Sequence, residues 1–561
     1  MTMVTILDGY VDEPTCLGVP PYISPYPRYV AGSIWSANRD ADVQYITIDH
    51  LRKNDEKTKL LSKSDVVVVI AGMVVPGRYL ASFPASPGEL MSFLGGFEKP
   101  LKVLCGPAAR YGFGLSGGRK IGEIDEVKEF FDLIVTGDPE VVVKQLVLEK
   151  FDTSAVDPTS RRDSAEEIRG FAIRGAKIVE QHPNFPEYLI AEIETYRGCS
   201  RAVVGGCSFC IEPLKSLPDF RPPQDIVDEV ASLYRVGVRH FRLGSQPCFF
   251  SYMSRGVGEL EFPEPNPGVV EKLLRGIREV APKLKTLHID NANPGVIVRY
   301  PEECQRIAKS IIRYHTPGDV AAFGVESADP EVIKKNNLKA YPEDVLKAVR
   351  LLNEVGVVRG YNGLPEFLPG LNFVFGLKGE SKKTFEYDYE LLKKILDEKL
   401  LVRRINLRQV MPLPGTMMYD VGERLVRRHK MFFKRFKRLV RENIDRPMLR
   451  RVVPTGTVLK DVYTEVHRGK TTFARQLGSY PILVGIPGEF ELGRFMDVKV
   501  VDYGYRSLTA LPYPLPINSV PRETIEALPE VGRKRALRII KGRPFSDEQQ
   551  FMNALDDPVL G

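Results

Sequence analysis

Short apolar runs alternate with longer mixed segments along the first part of the chain. VTILDGY, VQYITID, SDVVVVIAG, LKVLCGP and FDLIVTGD read as short buried strands, most of them separated by segments long enough for helices. This alternation predicts a doubly wound, Rossmann-like α/β domain over residues 1–150. Residues 151–186 turn polar, with RRDSAEEIRG and HPNFPEY, and read as a linker carrying a helix. YLIAEIE comes next as a buried parallel strand that opens a second α/β unit. Further on, ERLVRRHKMFFKRFKRLVREN places Leu425, Phe432, Phe433, Phe436, Leu439 and Val440 at near-helical spacing, which predicts an amphipathic helix over 421–451. Glycine-punctuated strands then occupy 452–510, as a small closed β-barrel requires. The end, 515–561, carries ETIEALPEVGRKRALRIIKG, a helix, a tight hairpin and a basic helix.

Composition narrows the class. A length of 561 residues suggests three or four domains, and 43% hydrophobic content suffices for their cores. No apolar run approaches the roughly 20 residues of a membrane span. Seven cysteines without a paired framework describe a reduced, cytoplasmic protein without a membrane partner. Charge is local rather than global: Arg424 to Arg451 hold twelve Lys or Arg against Glu442 and Asp445, which leaves the rest of a +7 chain slightly acidic. The basic helix face, above all Arg427, Arg428, Lys434 and Arg435, suits phosphate contact. A solvated surface and a membrane-surface helix are the competing readings.

The sharpest chemical signal is ETYRGCSRAVVGGCSFC, where Cys199, Cys207 and Cys210 offer three thiolates and no fourth. A cubane iron-sulfur cluster held by three thiolates keeps one iron open for a small molecule. Gly198, Gly205 and Gly206 let the loop wrap closely. A Cys₃His zinc site is the alternative; His182 and His240 are the nearest histidines and lack finger-like spacing. Cys248 and Cys304 read as packed thiols.

These cysteines and the segments after them resemble the radical S-adenosylmethionine (SAM) superfamily, from about Pro186 to Asp420. The first cysteine gap is seven residues instead of the usual three, while the CSFC ending is kept. The resemblance implies a partial (β/α)6 barrel over 187–420, a [4Fe-4S] cluster on Cys199, Cys207 and Cys210, and SAM bound to it. It implies Phe209 near the adenine, and Gly244, Ser245 and Gln246 at the SAM amino group, with Gln where the family has Glu. In AAFGVESADPEVIKKNN, Glu326 and Ser327 would face the SAM ribose or carboxylate; NFVFGLKGESKKTFE resembles the fifth strand and its turn. In INLRQVMPLPGTMMY, backbone around Val410 and Met411 would bracket the adenine. The implied chemistry is reductive cleavage of SAM to a 5'-deoxyadenosyl radical that removes a hydrogen atom, fed by an external electron donor.

Superfamily members often carry a front domain for cobalamin or for a second cluster. DHLRKN around His50 lacks the cobalamin spacing, and Cys16 and Cys105 are too few for a second cluster, so the front domain reads as a scaffold or docking surface. GFGLSGGRK, 112–120, suits either a phosphate cradle or a plain surface loop. TTFARQLGSYPILVGIP with GRFMDVKVVD resembles the TRAM domain, an RNA-binding barrel of the OB-like kind, with Phe473, Arg475 and Tyr480 as RNA contacts. The terminal segment resembles a helix-hairpin-helix, with Gly532, Arg533 and Lys534 at a phosphate. Together these imply a tRNA substrate. The architecture resembles the archaeal family of radical SAM partners of archaeosine synthase, which implies C–N cleavage of a lysine adduct of 7-cyano-7-deazaguanine and a complex with that synthase. A tRNA methylthiotransferase and a nonenzymatic RNA-binding protein with a structural metal are the alternatives.

Overall fold

The computed structural model describes residues 2–11, 21–72, 82–114, 117–119 and 124–556. Cys16, Lys120 and the last five residues lie outside them.

Five parallel strands form the front sheet, in the order Asp42–Thr47, Met3–Asp8, Val66–Ile70, Leu101–Cys105, Leu133–Ile134. Its strands are apolar on both faces because helices cover both. Leu7, Ile46, Val67, Val69 and Leu104 build a core on one side. Val4, Ile6, Val66, Val68 and Val103 face the other way and join the main core of the protein. The front unit is thus fused to the barrel body. Helix Pro25–Ala37 crosses helix Ile168–Gly175 so closely that a side chain at Gly32 or Gly175 would enter the other helix's backbone. Its neighbour Tyr22–Ile23 pairs with Ile190–Ala191, adding an edge strand to the next sheet.

That next body is a curved parallel wall. One sheet runs Tyr22–Ile23, Ile190–Glu194, His240–Gly244, Thr286–Ile289; the second runs Asn291–Ala292, Asp319–Glu326, Phe367–Phe375, Arg404–Gln409, and the chain passes between them at Asp290. Helices Pro223–Val236, Pro267–Val280, Pro301–Tyr314, Pro342–Gly356 and Lys382–Asp397 return the chain between strands. The two outer edges, Tyr22–Ile23 and Arg404–Gln409, do not pair with each other among the described residues, so the barrel is open along one side.

The basic segment is broken rather than continuous. Helices Arg424–Arg428 and Lys430–Val440 meet at His429, and a π turn at Arg441–Asp445 leads into Arg446–Val452. The break lets His429 Nδ1 reach Glu380 Oε1 at 2.8 Å, and Phe433 and Phe436 pack on Phe375. Five strands then close a small barrel, Val458–Arg468, Thr471–Gln476, Leu483–Pro487, Phe495–Tyr503 and Ser507–Pro512. It docks under the amino-terminal ends of the large barrel's strands: Tyr188 stacks on Tyr463 at 3.8 Å, and Lys285 lies over Phe495. Helices Arg522–Glu526, Arg533–Gly542 and Glu548–Asp556 share a separate small core with Val520 and Phe545.

Candidate functional site

The three cysteines lie at the carboxyl end of the barrel, in the loop after Ile190–Glu194, where barrel enzymes place their chemistry. The long first gap folds as a single 3₁₀ turn, Ser200–Val204, ended by Gly205 and Gly206 at φ +80° and +68°. Arg201, only 2% exposed, staples this insertion: Nε meets Glu261 Oε1 at 2.8 Å, Nη2 meets the Asn337 carbonyl at 2.8 Å, and Nη1 donates to Cys207 Sγ at 2.8 Å. Asn337 returns two bonds, from its amide to the carbonyls of Val204 and Gly206. The seven-residue gap is therefore a built element.

Burial pushes the Cys199 thiol up to about 11 and raises Cys210 further, while Lys339 and, for Cys199, Arg201 pull the other way. Cys207 acts electrostatically on both, so the three sulfurs share one locus. Lys339 Nζ also bonds Glu326 Oε1 at 3.1 Å and thereby ties the cysteine loop to the fourth strand. Among the described residues no three His, Cys, Asp or Glu side chains converge as one metal ion would require. A tetrahedral zinc needs four donors around one point, whereas a cubane spreads its thiolates over separate irons. The histidines nearest in sequence are engaged elsewhere: His182 stacks on Tyr45 and His240 bonds Thr286. Three thiols flanked by two cations fit an anionic thiolate cluster.

The residues expected at SAM separate into groups. Gln246 donates its amide to the Leu243 carbonyl, and its Oε1 is buried without a partner, which fits an acceptor for an ammonium group. Gly244 has no room for a side chain because Glu192 fills that space, and Ser245 takes φ +57°. Glu326 sits at a register shift with φ +65°, which turns its carboxylate toward Lys339. Phe209 packs with Leu377, Val410 and Met418. Met411 is half-buried beside them.

Two of the expected residues already have partners within the protein. The Ser327 hydroxyl donates to Asp388 at 3.2 Å and accepts from the amide of Asp329, the N-cap of helix Pro330–Lys335, so it is engaged in the turn that leads into that helix. Val410 uses its N–H in the sheet, on Phe375, and its carbonyl accepts from Gly118 of the front unit at 3.0 Å. GFGLSGGRK thus reaches the barrel mouth through Gly118, whose φ of +84° and buried setting against Gln409 and Val426 suit only glycine.

Among the expected RNA contacts, Arg427, Arg428, Lys434 and Arg435 are exposed, with Arg427 paired to Glu423. Gly532, Arg533 and Lys534 are exposed at the start of helix Arg533–Gly542. Arg475 is not available to RNA. It is 1% exposed and paired with buried Glu465 beneath the Tyr188–Tyr463 stack. Tyr480 enters the large barrel, where its hydroxyl bonds Asp290 and Arg404 covers its ring at 3.9 Å.

The lumen around Tyr480 is a site that motif reading misses. Glu192 faces Arg242 across neighbouring strands, Arg242 bonds Asp290, and Asn372 pairs with Asn406 at 2.7 Å. Ala322, Gly324 and Gly370 on the same face keep it open. Charged residues inside otherwise apolar strands, as in IAEIE and HFRLG, are the signal that could have found it.

Residues 193–392 match the Radical SAM superfamily. An uncharacterized protein of Methanocaldococcus jannaschii is 51% identical over 90% of this chain and 92% of its own. A tRNA-2-methylthio-N(6)-dimethylallyladenosine synthase of Clostridium novyi is 26% identical over 34% of this chain and 37% of its own. The solved radical SAM methyltransferase TsrM of Kitasatospora setae, with cobalamin and a [4Fe-4S] cluster bound, is 15% identical over 74% of each chain at a TM-score of 0.47. No helix among the described residues is long and apolar enough to cross a membrane. Residues 193–392 are a radical SAM superfamily domain, whose cofactors are a [4Fe-4S] cluster and SAM.

Proposed function

We propose that the protein is a radical SAM enzyme that modifies tRNA, acting by C–N cleavage on a lysine adduct of 7-cyano-7-deazaguanine to leave archaeosine. The supporting observation is the placement of two exposed basic elements, Lys430–Val440 and the Gly532 hairpin, on the chain that carries the three-cysteine loop.

Cys199, Cys207 and Cys210 would hold the cluster, and Arg201 and Lys339 would offset the negative charge of their thiolates. Gln246 Oε1, buried and without a partner in the protein, would accept from the SAM ammonium. When bound, cluster and SAM supply a 5'-deoxyadenosyl radical able to break an unreactive C–H bond. Gly118 donates its N–H to the Val410 carbonyl and so joins the front unit to the barrel beside the expected adenine position. An external electron donor and an archaeosine synthase are the partners this reading requires.

Mass spectrometry of tRNA nucleosides after anaerobic incubation with SAM and reductant tests the proposal; archaeosine formed from adduct-bearing tRNA supports it. A methylthiotransferase reading is favoured by the Clostridium novyi relative, and would show about eight irons per chain instead of about four, with a sulfur-bearing product. Absence of 5'-deoxyadenosine under reducing conditions would leave a nonenzymatic RNA-binding protein.

A further inference from the structure

Arginines outnumber carboxylates where the open side of the barrel meets the basic helix and the small barrel, with Asp445 near Arg441 and Arg506 and Asp290 near Arg404. Arg403, Arg404 and Arg408 come from the last strand and its approach, Arg441 and Lys437 from the basic segment, and Arg506 from the turn before Ser507–Pro512. They lie close enough to repel: Arg506 acts on Arg403, Arg404 and Lys437, and Arg408 on Arg404 and Arg506. Burial first, and then these like charges, pull Arg403 and Arg404 below the usual arginine range.

Counter-charge is short. Asp445 is taken by Arg441, and Asp290 by Arg242 and the Tyr480 hydroxyl. Among the described residues no carboxylate forms an ion pair with Arg403, Arg404, Arg408 or Arg506, and Arg404 keeps Nε and Nη1 buried and unbonded. Arg403, Arg404 and Arg408 are half-buried and Arg506 is exposed; guanidinium nitrogens cut off from water without a partner, as in Arg404, are costly, and stability alone gives no reason to gather these side chains. Their position gives one. Arg404 stands on the lumen face, where Gly370 opposite leaves it room, and the Arg404–Gln409 strand is the unpaired edge of its sheet. Gly118 meets Val410 just past the carboxyl end of this strand, and Leu477 and Ser479 bond Thr286 and His288 on the amino-terminal side of the barrel. A positive track therefore runs from the exposed face of Lys430–Val440 through the side of the barrel into its lumen.

We infer that this track is a phosphate-binding entrance, in which Arg404 and Arg506 hold backbone phosphates beside the nucleotide delivered to the lumen. The inference rests on the RNA reading above and adds the route and the residues. Bidentate guanidinium contacts suit phosphate oxygens.

The test measures binding of unfractionated archaeal tRNA, and of GMP, to reconstituted full-length enzyme across a salt series. Replacing Arg404→Gln with Arg506→Gln should weaken tRNA binding more than tenfold and lower the salt slope by about two, with Tm unchanged or raised because repulsion is relieved. Unchanged affinity and slope would overturn the inference, as would a fall in Tm with binding intact. Dicarbonyl footprinting of the wild type gives a second reading that needs no variant: tRNA or GMP should shield the exposed Arg506 from modification. If tRNA binds while Arg506 stays reactive, the entrance is wrong and the RNA reading stands. If GMP shields Arg506 and tRNA does not bind, the phosphate site stands and the RNA reading falls.

Discussion

At the scale of single residues, Cys199→Ala, Cys207→Ala or Cys210→Ala should abolish SAM cleavage and leave tRNA affinity within about twofold, measured by 5'-deoxyadenosine yield and filter binding, because the basic elements lie outside the cysteine loop. Arg201→Met should cost about 2 kcal/mol of stability and deplete bound iron, since it strips charged bonds from Glu261, Asn337 and Cys207 at once. Iron retained at wild-type level would show that the staple is dispensable. Asp8, at the end of the first strand, is buried and pushed up to about 6, although the Tyr10 amide and Tyr45 hydroxyl bond it. Its ordinary value is 3.8, so between about pH 4 and 6 the folded form holds a proton that the unfolded chain has lost. Ionised Asp8 therefore lowers stability above about pH 6, and this penalty fades as pH falls toward 4. Asp8→Asn should raise Tm at pH 8 and lose that advantage near pH 4; a gain independent of pH would refute the assignment.

Secondary elements show where patterns in the chain suffice and where they stop. The apolar face of the basic segment is legible in part: Phe436 and Val440 are buried as periodicity requires, whereas Leu439, expected on the same face, is 40% exposed. The break at His429 is not, because it depends on Glu380, a residue 49 positions away in the fifth strand's turn. The cysteine motif is legible from spacing and type, whereas Arg201 inside it reads as one more loop cation until Glu261 and Asn337 are seen beside it. Motif position alone puts Ser327 at SAM and Arg475 at RNA, but tertiary partners, Asp388 and Glu465, claim both. Neutralising Arg427, Arg428, Lys434 and Arg435 together should weaken tRNA binding and flatten its dependence on salt, because each is exposed. Equal slopes for variant and parent would reduce that helix to a solvated face.

Across the whole molecule, the parts are fused. The front unit lends a strand to the barrel and a glycine to its mouth, and the small barrel seals the opposite end through Tyr188, Tyr463 and Tyr480. Tyr463→Ala should destabilise the protein by about 3 kcal/mol and expose the junction to limited proteolysis, since a stacked aromatic pair is lost between two bodies. Cleavage resistance equal to the parent would indicate that other contacts carry the junction. Sequence alone determined the features that depend on local pattern: strand and helix periodicity, the three thiols, and the density of positive charge, because these are properties of neighbouring positions. Only the tertiary structure decided which charges meet with little counter-charge, which glycine joins the front unit to the barrel and which tyrosine enters the lumen. Those residues are far apart along the chain, and their energies come from burial and pairing that exist only once the barrels close.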